Sequence, residues 1–171
     1  IENMKDNNFL SDTFSFIISG DRDAKIINEG TISVAEGGLV ALVAPSMKNA
    51  GVIYAKLGRV ALVAGNAVTI DPYGDDLISF EVDEKTANQL ISPNKNSLAG
   101  LIDLSGSIIA EGGGVLITVD QARDAIDNAI NMTGYIQAKT LNKSVGKIIL
   151  DGGKGDINLE GIIQASGTAG S

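Results

Sequence analysis

The stretch NAGVIYAKLGRVALVAG, residues 49–65, decides the fold. It holds two short apolar runs, at 52–55 and 60–64, each entered through a glycine, Gly51 and Gly58, and each left through a small or turn-forming residue. Runs this short leave no room for a helix with caps. They read as two buried strands separated by a tight corner, at about twenty residues per lap.

Outward from this stretch the first phrase recurs. Glycine, any residue, isoleucine, any residue, alanine is found at Gly51, Ile53 and Ala55, at Gly106, Ile108 and Ala110, at Gly134, Ile136 and Ala138, and at Gly161, Ile163 and Ala165. A fifth copy, Gly30, Ile32 and Ala35, is one residue longer. Four matches at three fixed positions are a strong repeat signal in 171 residues. A second phrase follows the first, starting at Gly38, Gly58, Gly114 and Gly146 and running to Leu42, Leu62, Ile117 and Leu150. A third occurs in some laps, at 68–70 and 157–159. Three short strands per lap with glycine at the corners describe an all-β chain wound as a β-solenoid. Glycine suits such corners because it takes positive φ without steric cost and lets backbones approach closely.

The spacing between copies is uneven: 21 residues from Gly30 to Gly51, 28 from Gly106 to Gly134, and 27 from Gly134 to Gly161. The longer laps therefore carry excursions. Residues 120–131 place Ala122, Ala125, Ile126, Ala129 and Ile130 at helical spacing behind Asp120 as a cap, which predicts a short amphipathic helix on the solenoid wall. A second, weaker helical pattern at 83–91 stops before Pro93. Residues 1–25 read as a polar entry segment with a first strand at 14–18, and residues 26–171 as the solenoid. A single lap buries too little apolar surface to offset the entropy of ordering it, so laps must stack at about 4.8 Å. On that spacing the chain length predicts about eight laps and a rod of about 40 Å. Neither end shows a polar cap, as expected of a piece of a longer rod.

Composition bounds the chemistry. With 44% apolar residues, 4% aromatic residues and 21 glycines, the chain suits many short strands joined by corners. A net charge of −8 repels a phosphate backbone, which argues against nucleic acid as a partner. There is no histidine and no cysteine. This excludes Ser–His and Cys–His nucleophiles, the imidazole and thiolate ligands of a zinc site, and disulfides. No apolar run approaches the roughly 18 residues of a membrane span. The chain opens at Ile1 without a basic start and apolar core, which fits a removed signal peptide or an internal fragment.

VALVAPSMKNAGVIYAKLGRVALVAGNAVTIDPYGDDLISFEV, residues 40–82, closely resembles the filamentous-haemagglutinin family of large exoproteins secreted by the two-partner route. On this likeness residues 26–82 correspond to the end of the family's amino-terminal secretion domain. Residues 83–171, with MTGYIQAKT and LEGIIQASG, look like its following adhesin repeats. The asparagine-rich signature loop near the start of that secretion domain is not visible here. The resemblance implies a right-handed parallel β-helix, export through a dedicated outer-membrane transporter, and a place outside the cell or on the bacterial surface. It further implies adhesion or cell contact, with host or neighbouring-cell receptors or glycans as partners, and self-association as a further mode.

Candidate sites are few, and no cofactor, metal or catalytic group is expected. Asp71, Tyr73, Gly74, Asp75 and Asp76 form an acidic turn that has two sharper readings, a calcium loop or a carboxylate pair acting on a glycosidic bond. The alternating oxygen ligands and distal glutamate of a calcium loop are absent, and aspartate and glycine are what a tight turn requires. Asp21, Arg22 and Asp23 read as a solvent-facing turn. Asp151, Gly152, Gly153, Gly155 and Asp156 have the glycines of a phosphate cradle without its strand-to-helix context, which favours a corner. Tyr54 and Tyr135 fit exposed contacts and core packing equally well. The leading expectation is a non-catalytic structural segment of a secreted adhesin-type exoprotein. The alternatives are a polysaccharide-active β-helix enzyme using Asp75 or Asp76 and the stalk of a contact-dependent toxin-delivery protein.

Overall fold

A computed structural model describes residues 14–17, 24–65, 67–70, 101–119, 128–141, 144–153 and 155–167. Strand β1 (Phe14–Ile17) precedes a stack of laps. The first lap consists of β2 (Lys25–Asn28), β3 (Thr31–Ser33) and β4 (Leu39–Ala44), and the second of β5 (Ser46–Asn49), β6 (Val52–Tyr54) and β7 (Arg59–Ala64). After β8 (Ala67–Ile70) the third lap follows as β9 (Ile102–Leu104), β10 (Ser107–Ile109) and β11 (Gly114–Val119). The fourth is β12 (Asn128–Met132), β13 (Tyr135–Gln137) and β14 (Lys147–Asp151), and the fifth β15 (Asp156–Leu159) and β16 (Ile162–Gln164). Each lap adds one parallel strand to each of three walls, except that the fifth contributes to two. The first wall runs β2, β5, β9, β12, β15, the second β3, β6, β10, β13, β16, and the third β4, β7, β11, β14. This is an all-β parallel β-helix.

The register stacks like on like. In the second wall Ile32, Ile53, Ile108, Ile136 and Ile163 form one inward column. In the third, Leu42, Leu62, Ile117 and Leu150 form another. In the first, Ile26, Met47, Ile102, Ile130 and Ile157 do the same. These columns meet in one core, with the phrase alanines Ala55, Ala110 and Ala138 fully buried at its corner. Ile-rich strands suit this geometry because a β-branched side chain packs on its copy one lap away. In the longer copy, Val34 takes the place of Ala55: its amide donates to Tyr54 O, as that of Ala55 does to Ile109 O. The middle of the third wall is apolar on both sides, since Ala61, Val63 and Leu116 lie on its outer side and are buried. Its VALVA sequences, read as continuous apolar runs, are those of strands buried on both faces.

The corners explain the glycines, and the explanation is mostly close approach. A Cβ on Gly51, Gly106, Gly134 or Gly161 would overlap the carbonyl oxygen of the phrase glycine one lap below. That same carbonyl accepts the amide of Val52, Ser107, Tyr135 and Ile162 respectively, each at 2.9 Å. None of these glycines has a positive φ. At the second corner the two requirements separate. Gly37, Leu57 and Gly112 take φ of 78°, 53° and 69°, as the third residue of a type II turn must, and the next residue closes the turn onto Ala35, Ala55 or Ala110. That next residue, Gly38, Gly58 or Gly113, is where a Cβ would meet backbone; Gly112 is the exception that combines both requirements, because a Cβ there would also crowd the Leu57 and Leu141 side chains. The expected alignment of Gly114 with Gly58 is thus corrected by one residue: Gly114 pairs with Arg59, and Gly113 matches Gly58.

Three other expectations are corrected. The phrase at 68–70 is not a wall strand: β8 leaves the stack and pairs antiparallel with β1, Phe14 opposite Ile70 and Ile17 opposite Ala67. The walls close over this departure, with Met47 in register with Ile102, because an insertion at a corner leaves the ladder intact. The helix expected at 120–131 meets a strand in its second half, where Ile130 and Met132 point inward from β12 beside Ile102 and Leu104. A register shift between Asn128 and Ile130 tucks Ala129 inside as well, and this irregularity breaks the alternation that would have marked the strand. Residues 120–127 and the weaker helical pattern at 83–91 lie outside the described residues, among which there is no helix. The described residues build five laps, not eight, because corners absorb chain; one such corner is closed by Leu141 and Ser144, which exchange backbone hydrogen bonds at 3.0 Å.

One inward column changes character along the rod: Asn28, Asn49, Leu104, Met132, Leu159. Asn28 Nδ2 donates to Asn49 Oδ1 at 2.7 Å, and Asn28 Oδ1 accepts from the amide of Gly30 at 3.2 Å. Both asparagines are buried. Asn49→Leu leaves the Asn28 amide without its acceptor and is expected to cost about 1–2 kcal/mol by urea denaturation. The double change Asn28→Leu with Asn49→Leu should recover most of that loss, since Leu104 and Met132 already fill the column with apolar groups. A double variant as weak as the single one would show that the asparagine pair does not act as a unit.

Candidate functional site

The second wall turns the repeated phrase into a surface. Its central isoleucines point inward, so the two free positions of each phrase point out. They form two columns, Thr31, Val52, Ser107, Tyr135, Ile162 and Ser33, Tyr54, Ile109, Gln137, Gln164. None of these ten residues is charged, although charged residues are 20% of the chain. The other walls differ: the first carries Lys25, Lys48, Asp103 and Asp156, and the third Arg59, Lys147 and Asp151.

Two tyrosines and two glutamines lie on this uncharged wall. Tyr54 is 36% exposed, beside Val52 at 37%, while Ile162 at the far end is 59% exposed. Tyr135 is half-buried and held from two laps. Its hydroxyl accepts from Gln137 Nε2 at 2.6 Å and donates to Gln164 Oε1 at 2.8 Å. Gln137 Nε2 also reaches Gln164 Oε1 at 3.1 Å. This closed set of bonds fixes the tyrosine ring; Gln137 is itself buried, while Gln164 is exposed. At the wall's edge Lys56 Nζ and Glu36 Oε2 lie 3.2 Å apart, an exposed pair between adjacent laps that contributes little to stability.

The sequence candidates fall as follows. Tyr54 and Tyr135, undecided between contact and packing, share the outer side of the second wall in different columns. Asp151 to Asp156 is a strand-to-strand corner between β14 and β15: Gly153 has φ of 58°, its amide donates to Asp151 Oδ1 at 2.9 Å, and Gly155 N donates to Gly152 O at 2.9 Å. A phosphate cradle opens onto a helix N-terminus, and this corner opens onto a strand. The acidic turn Asp71, Asp75, Asp76 and the turn Asp21, Arg22, Asp23 lie outside the described residues. Gln137 and Gln164 were not singled out by sequence, although the signal was present: in every copy of the phrase the free positions are uncharged.

Among the described residues no group of three or more aspartates and glutamates is placed to hold a metal ion, and no helix is long and apolar enough to cross a membrane. No protein-family model and no curated protein matches the chain. What the fold defines is a class, the parallel β-helix, here with three inner columns that stay apolar and outer columns that vary from lap to lap.

Proposed function

We propose that the chain is a non-catalytic structural segment of a large, secreted, surface-associated adhesin-type exoprotein, exported through an outer-membrane two-partner transporter. One observation carries the reading. The phrase glycine, isoleucine and alanine repeats lap upon lap in register while the residues between them change from Thr31 and Ser33 to Ile162 and Gln164. Such a scaffold holds its interior fixed and uses its walls to present different side chains along a rod. The likeness of residues 40–82 to the filamentous-haemagglutinin family supports the same reading, as does a core built without a single buried ionisable side chain among the described residues.

The test has two arms. Placed behind a signal peptide, the chain should appear in the medium of cells that carry a two-partner transporter and remain in the periplasm of cells that lack it. Microspheres coated with the purified chain should adhere to cultured cells well above albumin-coated controls. Release that does not depend on the transporter, together with adhesion no greater than albumin, overturns the proposal.

A further inference from the structure

The second wall poses a question that its stability does not answer. An outer β-face on a chain of net charge −8 is ordinarily where charges sit, and this one has none in five laps. It combines a half-exposed tyrosine, a second tyrosine locked by two glutamines, and a row of hydroxyl and aliphatic groups. A tyrosine ring beside the exposed Gln164 amide fits a ligand that is itself apolar on one face and hydroxylated at its edge, which is the chemistry of a sugar ring.

Size and charge select among occupants. Four inter-strand steps of about 4.8 Å and two outward columns about 7 Å apart give a strip about 19 Å long and about 10 Å wide. A stable pairing of two copies needs roughly 800 Å² from each partner, several times what this strip offers. The strip suits a narrow, extended ligand. Its lack of charge removes the partners that would recognise an anionic chain, and the net charge of the molecule repels one.

We propose that the outer face of the second wall binds a neutral linear oligosaccharide, with Tyr54 and Tyr135 as ring platforms and the exposed Gln164 as the hydrogen-bonding amide. The proposal rests on the adhesin reading and names the surface and the ligand chemistry it would use. Tyr135 is the better-ordered platform, because Gln137 of its own lap and Gln164 of the next hold its hydroxyl. Tyr54 lies two laps away and one column across, so a single extended chain reaches both.

Binding of neutral tetrasaccharides of glucose, galactose and N-acetylglucosamine to the full chain is measured by titration calorimetry and by ligand-observed NMR, with a sulfated tetrasaccharide as control. At least one neutral tetrasaccharide should bind and the sulfated one should not. Tyr54→Ala and Tyr135→Ala should each weaken binding about tenfold. Val52→Lys, which changes only an exposed side chain and places a charge on the strip, should weaken it similarly while leaving the urea midpoint unchanged, so the test survives if a tyrosine variant fails to fold. No binding by any neutral tetrasaccharide, binding indifferent to Val52→Lys and to the tyrosine variants, or a dimer that Val52→Lys dissociates would each overturn the proposal. If coated microspheres adhere to cells and Val52→Lys does not reduce that adhesion, the wall is not the site although the adhesin reading stands. If microspheres do not adhere and tetrasaccharide binding is lost in Val52→Lys, the site stands without that reading.

Discussion

Ile108→Asp should unfold the rod from its middle. Ile108 is buried in the centre of the isoleucine column, with Ile53 one lap below and Ile136 one lap above. No basic side chain is buried among the described residues, so a carboxylate there meets no buried cation among them. An unpaired buried charge costs about 3–5 kcal/mol, a large share of the roughly 5–15 kcal/mol that stabilises an ordinary domain. Because each lap is held only by its neighbours, the loss spreads to the second and fourth laps. The expected result is a large fall in the urea midpoint with loss of the β signal in circular dichroism. Ile108→Val, which removes one methyl group, should cost only about 0.5–1.5 kcal/mol. An unchanged midpoint in Ile108→Asp would put residue 108 on the outside and displace the register of every lap.

That register was legible from the phrase, and the reason is physical. Stacking at the strand spacing forces equivalent positions of successive laps into contact, so the sequence repeats wherever the interior repeats. Ile53, Ile108, Ile136 and Ile163 could be aligned without coordinates for this reason. Where contact is not imposed, legibility fails. Met47 pairs directly with Ile102 in the first wall, so the number of residues between these two laps says nothing about how many laps there are. At Ala129 and Ile130 two consecutive apolar residues face inward through a bulge, and their spacing imitates a helix. The walls' chemistry is written in the same phrase, but Gln137 and Gln164 occupy its variable positions, which no periodicity marks. The variable positions are those free to differ, and they carry whatever the rod presents.

The glycines sharpen this distinction. A glycine in a turn suggests positive φ, but in the phrase glycines the backbone conformation is one that any residue adopts, and only the neighbouring lap forbids a side chain. Gly106→Ala is therefore expected to behave unlike an ordinary glycine replacement. Its Cβ would overlap the carbonyl oxygen of Gly51 and crowd the carbonyl carbon of Ala50 at 2.7 Å. Those atoms are backbone in a ladder, with Gly51 O already accepting from Ser107 N at 2.9 Å, so they cannot give way unless the two laps part. The expected loss is at or above the upper end of the roughly 1–3 kcal/mol usual for overpacking. Gly30→Ala is the matched control. Gly30 occupies the same position in the first lap, has no positive φ, and a Cβ there meets nothing within 4 Å. It should be neutral or stabilising by about 0.4–1 kcal/mol through the unfolded chain. Thermal and urea unfolding of the two variants measure the difference directly. Equal effects at Gly30 and Gly106 would mean that backbone conformation, and not the carbonyl of the lap below, selects glycine at the corner.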